Sequence, residues 1–279
     1  MNPVQPILAA AAALVLAATA AQAAEEKPLW EVGAGAGAFT FPAYRGSDKN
    51  SNWFLPVPYF TYHGDFFKAD RHGIRGSFFD TDRLDLTVSA FLSPPSGSDN
   101  VPARAGMPDL KATFEIGPQV DFTLWRSENR ARFVKLRMPL RAAFTVEGPP
   151  QDVGWVFNPN LNLDITDLPG LPGWNLGLVA GPVFGNQRQN AYYYSVAPQY
   201  ATPARPAYEA ASGYTGSQFL VGVSRRFQKF WLGAFASYDN LSGATIVDSP
   251  LVQEKNNFAA GLAVSWIFGE SSTRVMVND

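Results

Sequence analysis

Hydrophobic and polar side chains alternate with a period of two along most of the chain after Trp30. In the clearest segment, 134–146, apolar residues occupy every even position, and Lys135, Arg137 and Arg141 fall between them. The pattern recurs in seven further segments: 84–92, 114–124, 153–165, 174–184, 219–227, 230–238 and 258–268. A period of two is that of a β-strand, so the sequence predicts an all-β fold.

Strands with one apolar and one polar face fit two architectures. A soluble sandwich buries the apolar face, whereas a membrane barrel turns it to lipid. Many of the predicted strands reach about ten residues, the length that crosses a bilayer at a tilt. The seven tryptophans fall near strand ends, where an interfacial girdle would place them: Trp30, Trp53, Trp125, Trp155, Trp174, Trp231 and Trp266. We therefore predict a transmembrane antiparallel up-and-down β-barrel.

The connections between predicted strands alternate between short and long. The long ones, 93–110, 185–213 and 241–256, are expected outside the cell, and short turns such as 127–130 in the periplasm. If the loops around positions 94 and 243 lie on one side, the segment between positions 66 and 79 holds two strands joined near His72. The count is then about twelve strands with both termini in the periplasm, and ten or fourteen stay open as alternatives.

The first residues have the pattern of an export signal. An apolar run over 7–20 precedes Ala21-Gln22-Ala23, and a run of about 14 residues is too short to span a bilayer. No Lys or Arg precedes the run, which departs from the usual pattern, and a buried N-terminal helix is the alternative. We expect a signal peptide over 1–23, a barrel over 24–268 and a polar C-terminal tail over 269–279.

Composition narrows the possible functions. Charged residues make up 16% of the chain, against about 25% in an ordinary soluble domain, and aromatic residues make up 14%. The chain has no cysteine, so no disulfide stabilises the exported protein. The net charge of −2 argues against nucleic-acid binding, which requires a basic surface.

Motifs for catalysis or cofactor binding are weak. Gly33, Gly35 and Ala38 match a dinucleotide-binding pattern, but no βαβ unit follows, and close approach of a neighbouring strand explains them better. A membrane hydrolase would need a histidine and a serine, for which the candidates are His63, His72, Ser77 and Ser89. No motif singles out any of these. We expect no enzyme activity, no cofactor and no metal site.

Five charged residues are expected to face the lumen on two neighbouring strands. Glu115 and Asp121 lie on one strand, and Lys135, Arg137 and Arg141 on the next. With the turn centred near position 128, Asp121 falls closest to Lys135 and Glu115 closest to Arg141. Cross-strand ion pairs that neutralise the interior are the favoured interpretation. The alternative is a constriction that selects solutes by charge.

The loop over 185–213 is rich in tyrosine and proline. Its tyrosines are Tyr192, Tyr193, Tyr194, Tyr200 and Tyr208. Such a loop is expected either to recognise a partner or a sugar, or to fold inward as a plug.

Several short motifs follow one another in a fixed order. They are Gly33-Ala34-Gly35, Tyr44-Arg45-Gly46-Ser47-Asp48, Leu55-Pro56-Val57-Pro58-Tyr59, Tyr193-Tyr194-Ser195-Val196, Ala210-Ala211-Ser212-Gly213-Tyr214, Tyr238-Asp239-Asn240-Leu241-Ser242-Gly243-Ala244 and Asp248-Ser249-Pro250-Leu251-Val252. In order and spacing these motifs resemble the MltA-interacting protein (MipA/OmpV) family across the whole mature chain. One departure is that the last predicted strand ends at Phe268, not at the C-terminus.

The resemblance implies a location in the cell outer membrane of a Gram-negative bacterium. For some family members it implies a scaffold that links a murein lytic transglycosylase to a murein synthase. Others are associated with osmotic response or with passage of solutes and antibiotics. The family has no catalytic motif to transfer. We expect a scaffold that contacts outer-membrane lipid and murein enzymes, with a narrow pore for small solutes as the alternative.

Overall fold

The computed structural model describes residues 25–64, 67–70, 73–76, 79–80 and 83–277. The predicted signal peptide over 1–23 lies outside these residues. The strands are β1 (Glu25–Pro28), β2 (Trp30–Pro42), β3 (Asn50–His63), β4 (Phe67–Asp70), β5 (Gly73–Gly76), β6 (Phe79–Asp80), β7 (Leu84–Ser93), β8 (Thr113–Arg126), β9 (Arg132–Thr145), β10 (Asp152–Phe157), β11 (Asn160–Ile165), β12 (Trp174–Gly185), β13 (Gly213–Arg226), β14 (Phe230–Asn240), β15 (Asn256–Glu270) and β16 (Arg274–Val277). One α-helix, α1 (Gln187–Tyr194), lies between β12 and β13.

Strands β2 to β15 form one antiparallel sheet. Its order is β5-β4-β3-β2-β15-β14-β13-β12-β10-β9-β8-β7-β6, and β11 pairs with β9 and β12 as β10 does. The Cα atoms of β5 and β7, near the two ends of this path, approach within 8 Å. The sheet therefore curls round on itself, as predicted for a barrel.

The number of strand positions agrees with the prediction. Both β10 and β11 lie between β9 and β12 and occupy one position, while the short strands β5 and β6 stand at the two ends of the path. The described residues therefore provide thirteen strand positions, within the predicted range of ten to fourteen strands. The predicted hairpin within 66–79 is present as β4 and β5, with Asp70 paired to Gly73, whereas its predicted turn residue His72 lies outside the described residues.

The barrel closes where β2 near the N-terminus pairs with β15 near the C-terminus. Ala38 pairs with Leu262 in this register. A Cβ atom on Gly33 would lie 2.2 Å from the backbone oxygen of Trp266, and one on Gly35 would lie 1.8 Å from that of Val264. These glycines therefore lie where two antiparallel strands approach closely. They do not belong to the βαβ unit that a dinucleotide-binding site requires.

Burial in the barrel wall is inverted relative to a soluble protein. The strand residues Asp121, Glu115 and Asn162 are buried, whereas Phe54 is 79% exposed and Leu262 is 53% exposed. A barrel wall with buried polar side chains and exposed apolar ones fits lipid on the outside and a polar lumen on the inside. No helix among the described residues is long and apolar enough to cross a membrane.

The tryptophan girdle is only partly confirmed. Four tryptophans at strand ends are more than a third exposed: Trp30, Trp125, Trp155 and Trp266. Trp231 instead faces the lumen, with its ring centroid 6.1 Å from that of Tyr59. Trp53 pairs with the lumen-facing Phe39, and its indole nitrogen is buried. A position near a strand end does not determine which face a side chain occupies, so the prediction was wrong for these two residues.

The up-and-down order gives the barrel two different ends. Four connections at one end, 43–49, 94–112, 186–212 and 241–255, pack together and are called the cap here. The opposite end carries short turns, including 227–229, and the first and last described strands, β1 and β16, and we call it the terminal end. There β1 pairs with β16, which lies within the segment predicted from sequence as a polar tail.

Candidate functional site

The cap has its own hydrophobic core, to which all four connections contribute. Its buried members are Tyr44, Val101, Leu110, Tyr194, Val196, Ala210, Leu241, Ala244, Ile246 and Leu251. The other tyrosines of the loop over 186–212 pack against this core, which gives them a structural role. The loop is packed into the cap over the mouth of the barrel, and its expected recognition of a partner or a sugar stays a prediction.

The sequence motifs meet inside the cap. The Tyr44 hydroxyl donates to the backbone oxygen of Leu251 at 2.7 Å, and the Tyr194 hydroxyl donates to that of Arg45 at 2.9 Å. The Ser249 hydroxyl donates to the backbone oxygen of Tyr194 at 2.7 Å. Three distant stretches of sequence are thereby fastened by buried hydrogen bonds.

Gly46 and Ser47 bind the cap to the rim of the barrel. The Gly46 amide donates to Asn257 Oδ1 at 2.5 Å, and Asn257 Nδ2 donates to the backbone oxygen of Ser47 at 2.8 Å. Gly46 has a φ of +97°, and a Cβ there would meet Leu241 and Val252 at 3.3 Å. A glycine is therefore required both for conformation and for space.

The remaining motif residues are more accessible. Asp48 forms an ion pair with Lys49 at 2.9 Å, and the Asp248 side chain is exposed. Pro250 supplies a backbone oxygen to Gln253 Nε2 at 2.7 Å. These residues shape the outer surface of the cap without contributing to its core.

Arg45 reaches from the cap to the lumen wall. Its Nε lies 2.9 Å from Asp239 Oδ1 on β14, and its Nη1 donates to Thr215 Oγ1 on β13 at 3.5 Å. Gly216 has a φ of +115°, and a Cβ there would lie 2.9 Å from Arg45 Nη2. The guanidinium therefore ties the cap to two neighbouring strands.

Burial shifts the pKa values of three groups inside the cap. It raises the pKa of Tyr44 and of Tyr194 to about 12 in each case. It lowers the pKa of Arg104, whose Nη1 donates to the backbone oxygen of Tyr193 at 3.1 Å. These shifts follow from burial, which disfavours the charged form of each group.

Below the cap, one side of the lumen carries ion pairs. Arg141 Nε lies 2.9 Å from Glu115 Oε2, the pair expected from sequence, and Arg141 Nη1 donates to Ser89 at 3.3 Å. The side chain of Lys135 pairs with Asp85 on β7 at 3.2 Å.

The expected pair of Asp121 with Lys135 is not formed. Asp121 lies opposite Arg137 in the register, because a bulge between Thr123 and Trp125 and a later turn shift the pairing. Arg137 lies between two carboxylates, with Nε 3.9 Å from Asp121 Oδ2 and Nη2 3.8 Å from Asp164 Oδ2. Arg137 is therefore shared between strands β8 and β11.

The opposite side of the lumen is aromatic. Phe39 and Phe41 of β2 stack with Phe235 of β14 at centroid distances of 6.0 to 6.4 Å. A Cβ on Gly261 would lie 2.4 Å from the Phe39 ring and 2.5 Å from the Phe235 ring. We call strands β7 to β11 the charged wall and strands β2, β3, β14 and β15 the aromatic wall.

Two adjoining spaces lie between the walls. A cavity of about 400 Å³ is bounded by Arg137 and Asp164 on one side and by Trp231 on the other. A larger space of about 780 Å³, the vestibule, opens at the terminal end and is lined by Glu31, His63 and Arg226 among others. Val57 and Trp231 line both spaces, so the vestibule and the cavity adjoin each other.

The residues of the hydrolase alternative are not brought together in the part of the chain that the structure describes. His63 Nδ1 lies 3.0 Å from the backbone oxygen of Pro28 at the terminal end. Ser89 is held by Arg141 on the charged wall. His72 and Ser77 lie outside the described residues.

Comparison with known proteins gives a family match, two outer-membrane relatives and a solved structure. The sequence pattern of the family described as "MltA-interacting protein MipA" matches residues 34–268. Outer membrane protein OmpV of Vibrio cholerae serotype O1 is 24% identical over 215 residues, covering 75% of this chain and 76% of that protein. Outer membrane protein Omp26La of Vibrio anguillarum gives the same identity and coverage. The solved structure of a bacterial polysaccharide outer membrane secretin is 9% identical with a TM-score of 0.41, covering 87% of this chain and 99% of that one.

Proposed function

Since the chain belongs to the MltA-interacting protein MipA family and is an outer-membrane β-barrel, we propose that it is a closed scaffold, not an open pore. The cap carries this proposal. Its core joins four connections, and Leu241, Ile246 and Leu251 within it have no exposed surface. A conducting channel requires a continuous aqueous path, and a packed apolar core over one mouth opposes such a path.

In this proposal the cap faces the cell exterior and the terminal end faces the periplasm. Longer extracellular loops and shorter periplasmic turns are the rule in bacterial barrels. Cysteines placed at the exposed Asn100 and Thr202 should react with an impermeant maleimide on intact cells. Reaction only after permeabilisation of the outer membrane would contradict this orientation.

The terminal end is the surface proposed for partner binding. The β1–β16 pair forms a two-stranded sheet there, separate from the barrel. Unpaired strand edges are templates for an added strand from a partner. The family description names an interaction with MltA, and for this chain we propose a murein lytic transglycosylase and a murein synthase as partners.

Site-specific crosslinking tests the partner surface. A photoreactive residue at Met276, which is 64% exposed on β16, should capture a periplasmic murein enzyme in living cells. The same residue at the exposed Asp248 in the cap is the matched control and should capture none. Capture from the cap, or from neither site, would contradict the proposed surface.

A narrow pore is the second candidate, favoured by the cavity and the vestibule within the lumen. Planar-bilayer recording of the purified protein separates the two functions. The scaffold should be silent, whereas a steady ion current through the wild-type protein would establish the pore.

A further inference from the structure

Three rings of the aromatic wall lie side by side. The centroids of Phe39, Phe41 and Phe235 are separated by 6.0, 6.0 and 6.4 Å, and their planes differ by only 13° to 27°. In a column of three stacked rings, the outer two would be about twice as far apart as neighbours. The three nearly equal separations therefore describe a platform of rings, and Phe39 and Phe235 of this platform line the lumen cavity.

Glycines let the rings of this wall lie against the backbone. A Cβ on Gly37 would lie 2.5 Å from the Phe39 ring, which also covers Gly261. A Cβ on Gly233 would lie 2.1 Å from the ring of Trp231, another residue that lines the cavity. Any larger residue at these positions would displace the rings. The aromatic surface is thus built into the wall before a ligand arrives.

The charged wall brings a donor and an acceptor to the same cavity, on Arg137 and Asn162. Within the part of the chain that the structure describes, Arg137 Nε and Asn162 Oδ1 have no hydrogen-bond partner. Asn162 Nδ2 donates to the backbone oxygen of Leu178 at 3.3 Å, so the amide oxygen is the group left over. A hydroxyl group both donates and accepts, whereas an ammonium only donates and a carboxylate only accepts. The pair therefore favours a neutral ligand with hydroxyl groups.

We propose that the cavity binds a small neutral sugar. One face of the sugar ring packs its C–H groups on Phe235 and Trp231, because the negative face of an aromatic ring attracts their slightly positive hydrogens. Hydroxyl groups at the edge of the sugar donate to Asn162 Oδ1 and accept from Arg137 Nε. The volume of about 400 Å³ falls within the range of small-molecule sites, about 300–1,000 Å³. This site goes beyond the scaffold function, which requires no ligand in the lumen.

The vestibule provides the approach to the site. Asn175 and Ser224, which are paired on β12 and β13, line both the vestibule and the cavity, so uncharged polar groups lie where the two spaces adjoin. The cap covers the other mouth of the barrel. A ligand therefore enters from the terminal end, which is the periplasmic side in the proposed orientation.

Binding of simple glycosides to the folded protein tests the proposal in lauryldimethylamine oxide, a detergent without a sugar headgroup. The probes are methyl β-D-glucopyranoside, methyl β-D-galactopyranoside and methyl α-D-mannopyranoside. Saturation-transfer NMR should show saturable binding of at least one of them, with the strongest transfer to the protons of one ring face. Sorbitol, which has hydroxyl groups but no ring, should bind much more weakly. Equal binding of sorbitol, or no binding of any glycoside, would overturn the proposal.

Matched variants locate the site. Phe235→Leu keeps an apolar side chain and should weaken glycoside binding by about tenfold, because contact with an aromatic face is lost. Phe258→Leu makes the same change on the lipid face, where Phe258 is 66% exposed, and should leave affinity unchanged. Asn162→Leu removes the unpaired acceptor and tests the same site if Phe235→Leu does not fold. Wild-type affinity in either folded cavity variant would overturn the proposal.

Discussion

In the cap large apolar side chains are fully buried, whereas in the barrel wall many of them are exposed and charged side chains such as Asp121 and Glu115 are buried. Leu251 in the cap has no exposed surface, while Leu161 and Leu262 in the wall are about half exposed. All three residues are leucines, but the surroundings of the cap and of the barrel wall differ. The cap folds in water and gains from removing leucine from it, whereas the wall gains by presenting leucine to lipid.

The two regions meet at Arg45. Its backbone belongs to the cap, and its side chain pairs with Asp239 in the lumen. A charged contact between Arg45 and Asp239 thus joins the cap to the barrel wall. Four changes test this contrast, and they differ in the size of their expected effects.

The largest effect is expected in the cap core. Leu251→Ala should cost about 2–5 kcal/mol of local cap stability, because it leaves a cavity among residues that have little room to adjust. Hydrogen exchange should then become faster in 241–255 and in 43–49, while the barrel strands keep their protection. Leu171→Ala, in an exposed turn at the terminal end, is the control and should change little. Equal effects of the two would contradict a packed cap.

On the lipid face, a charge should be nearly as damaging. Leu262→Arg should destabilise the barrel by about 2–4 kcal/mol near the bilayer midplane. Ser224→Arg places the same side chain towards the lumen space and should cost less. Urea unfolding in lipid vesicles measures both. A greater loss for Ser224→Arg would invert the assignment of faces.

Ion pairs should matter more inside the lumen than at the rim. A double-mutant cycle on Arg141→Ala and Glu115→Ala should give a coupling energy of about 0.5–3 kcal/mol, because both side chains are largely buried. The exposed pair of Arg188 with Asp152 is the control, with about 0–1 kcal/mol expected. Unchanged stability with altered ion selectivity in a bilayer would instead identify the lumen charges as a selectivity filter.

The smallest effect is confined to alkaline pH. Burial raises the pKa of Tyr44 from the ordinary 10.0 to about 12, so the folded cap favours the neutral phenol. The stability that this preference provides is complete below pH 10 and is lost as pH rises towards 12. Trypsin sensitivity of the cap should therefore increase over that interval, and Tyr44→Phe should reduce the increase. A wild-type cap equally resistant at pH 9 and pH 12 would contradict this assignment.

Much of the wall was predictable from local pattern. The alternation over 134–146 identifies β9, and the predicted contact of Arg141 with Glu115 forms, although Glu115 lies opposite Ala143 in the register. This part is predictable because a strand has a fixed period and its neighbour is usually the next strand along the chain.

The register of β8 with β9 and the packing of the cap depend on contacts that the periodicity of the sequence does not indicate. The extra residue at Leu124 leaves no clear mark in the sequence, yet it helps to set Asp121 opposite Arg137. The cap joins Tyr44 to Leu251, which are 207 residues apart. The motifs that meet there could be recognised as motifs, but their mutual packing is a long-range property that the local sequence does not encode.

Closure of the barrel also has a consequence for the order of events during assembly. β2, the first strand of the barrel wall, pairs with β15, the last. This pairing can form only after the C-terminal segment has been made and exported. Until then both strands expose unpaired backbone edges, which promote aggregation. Loss of the final strand should therefore prevent closure and insertion of the barrel, even though most of the wall is present.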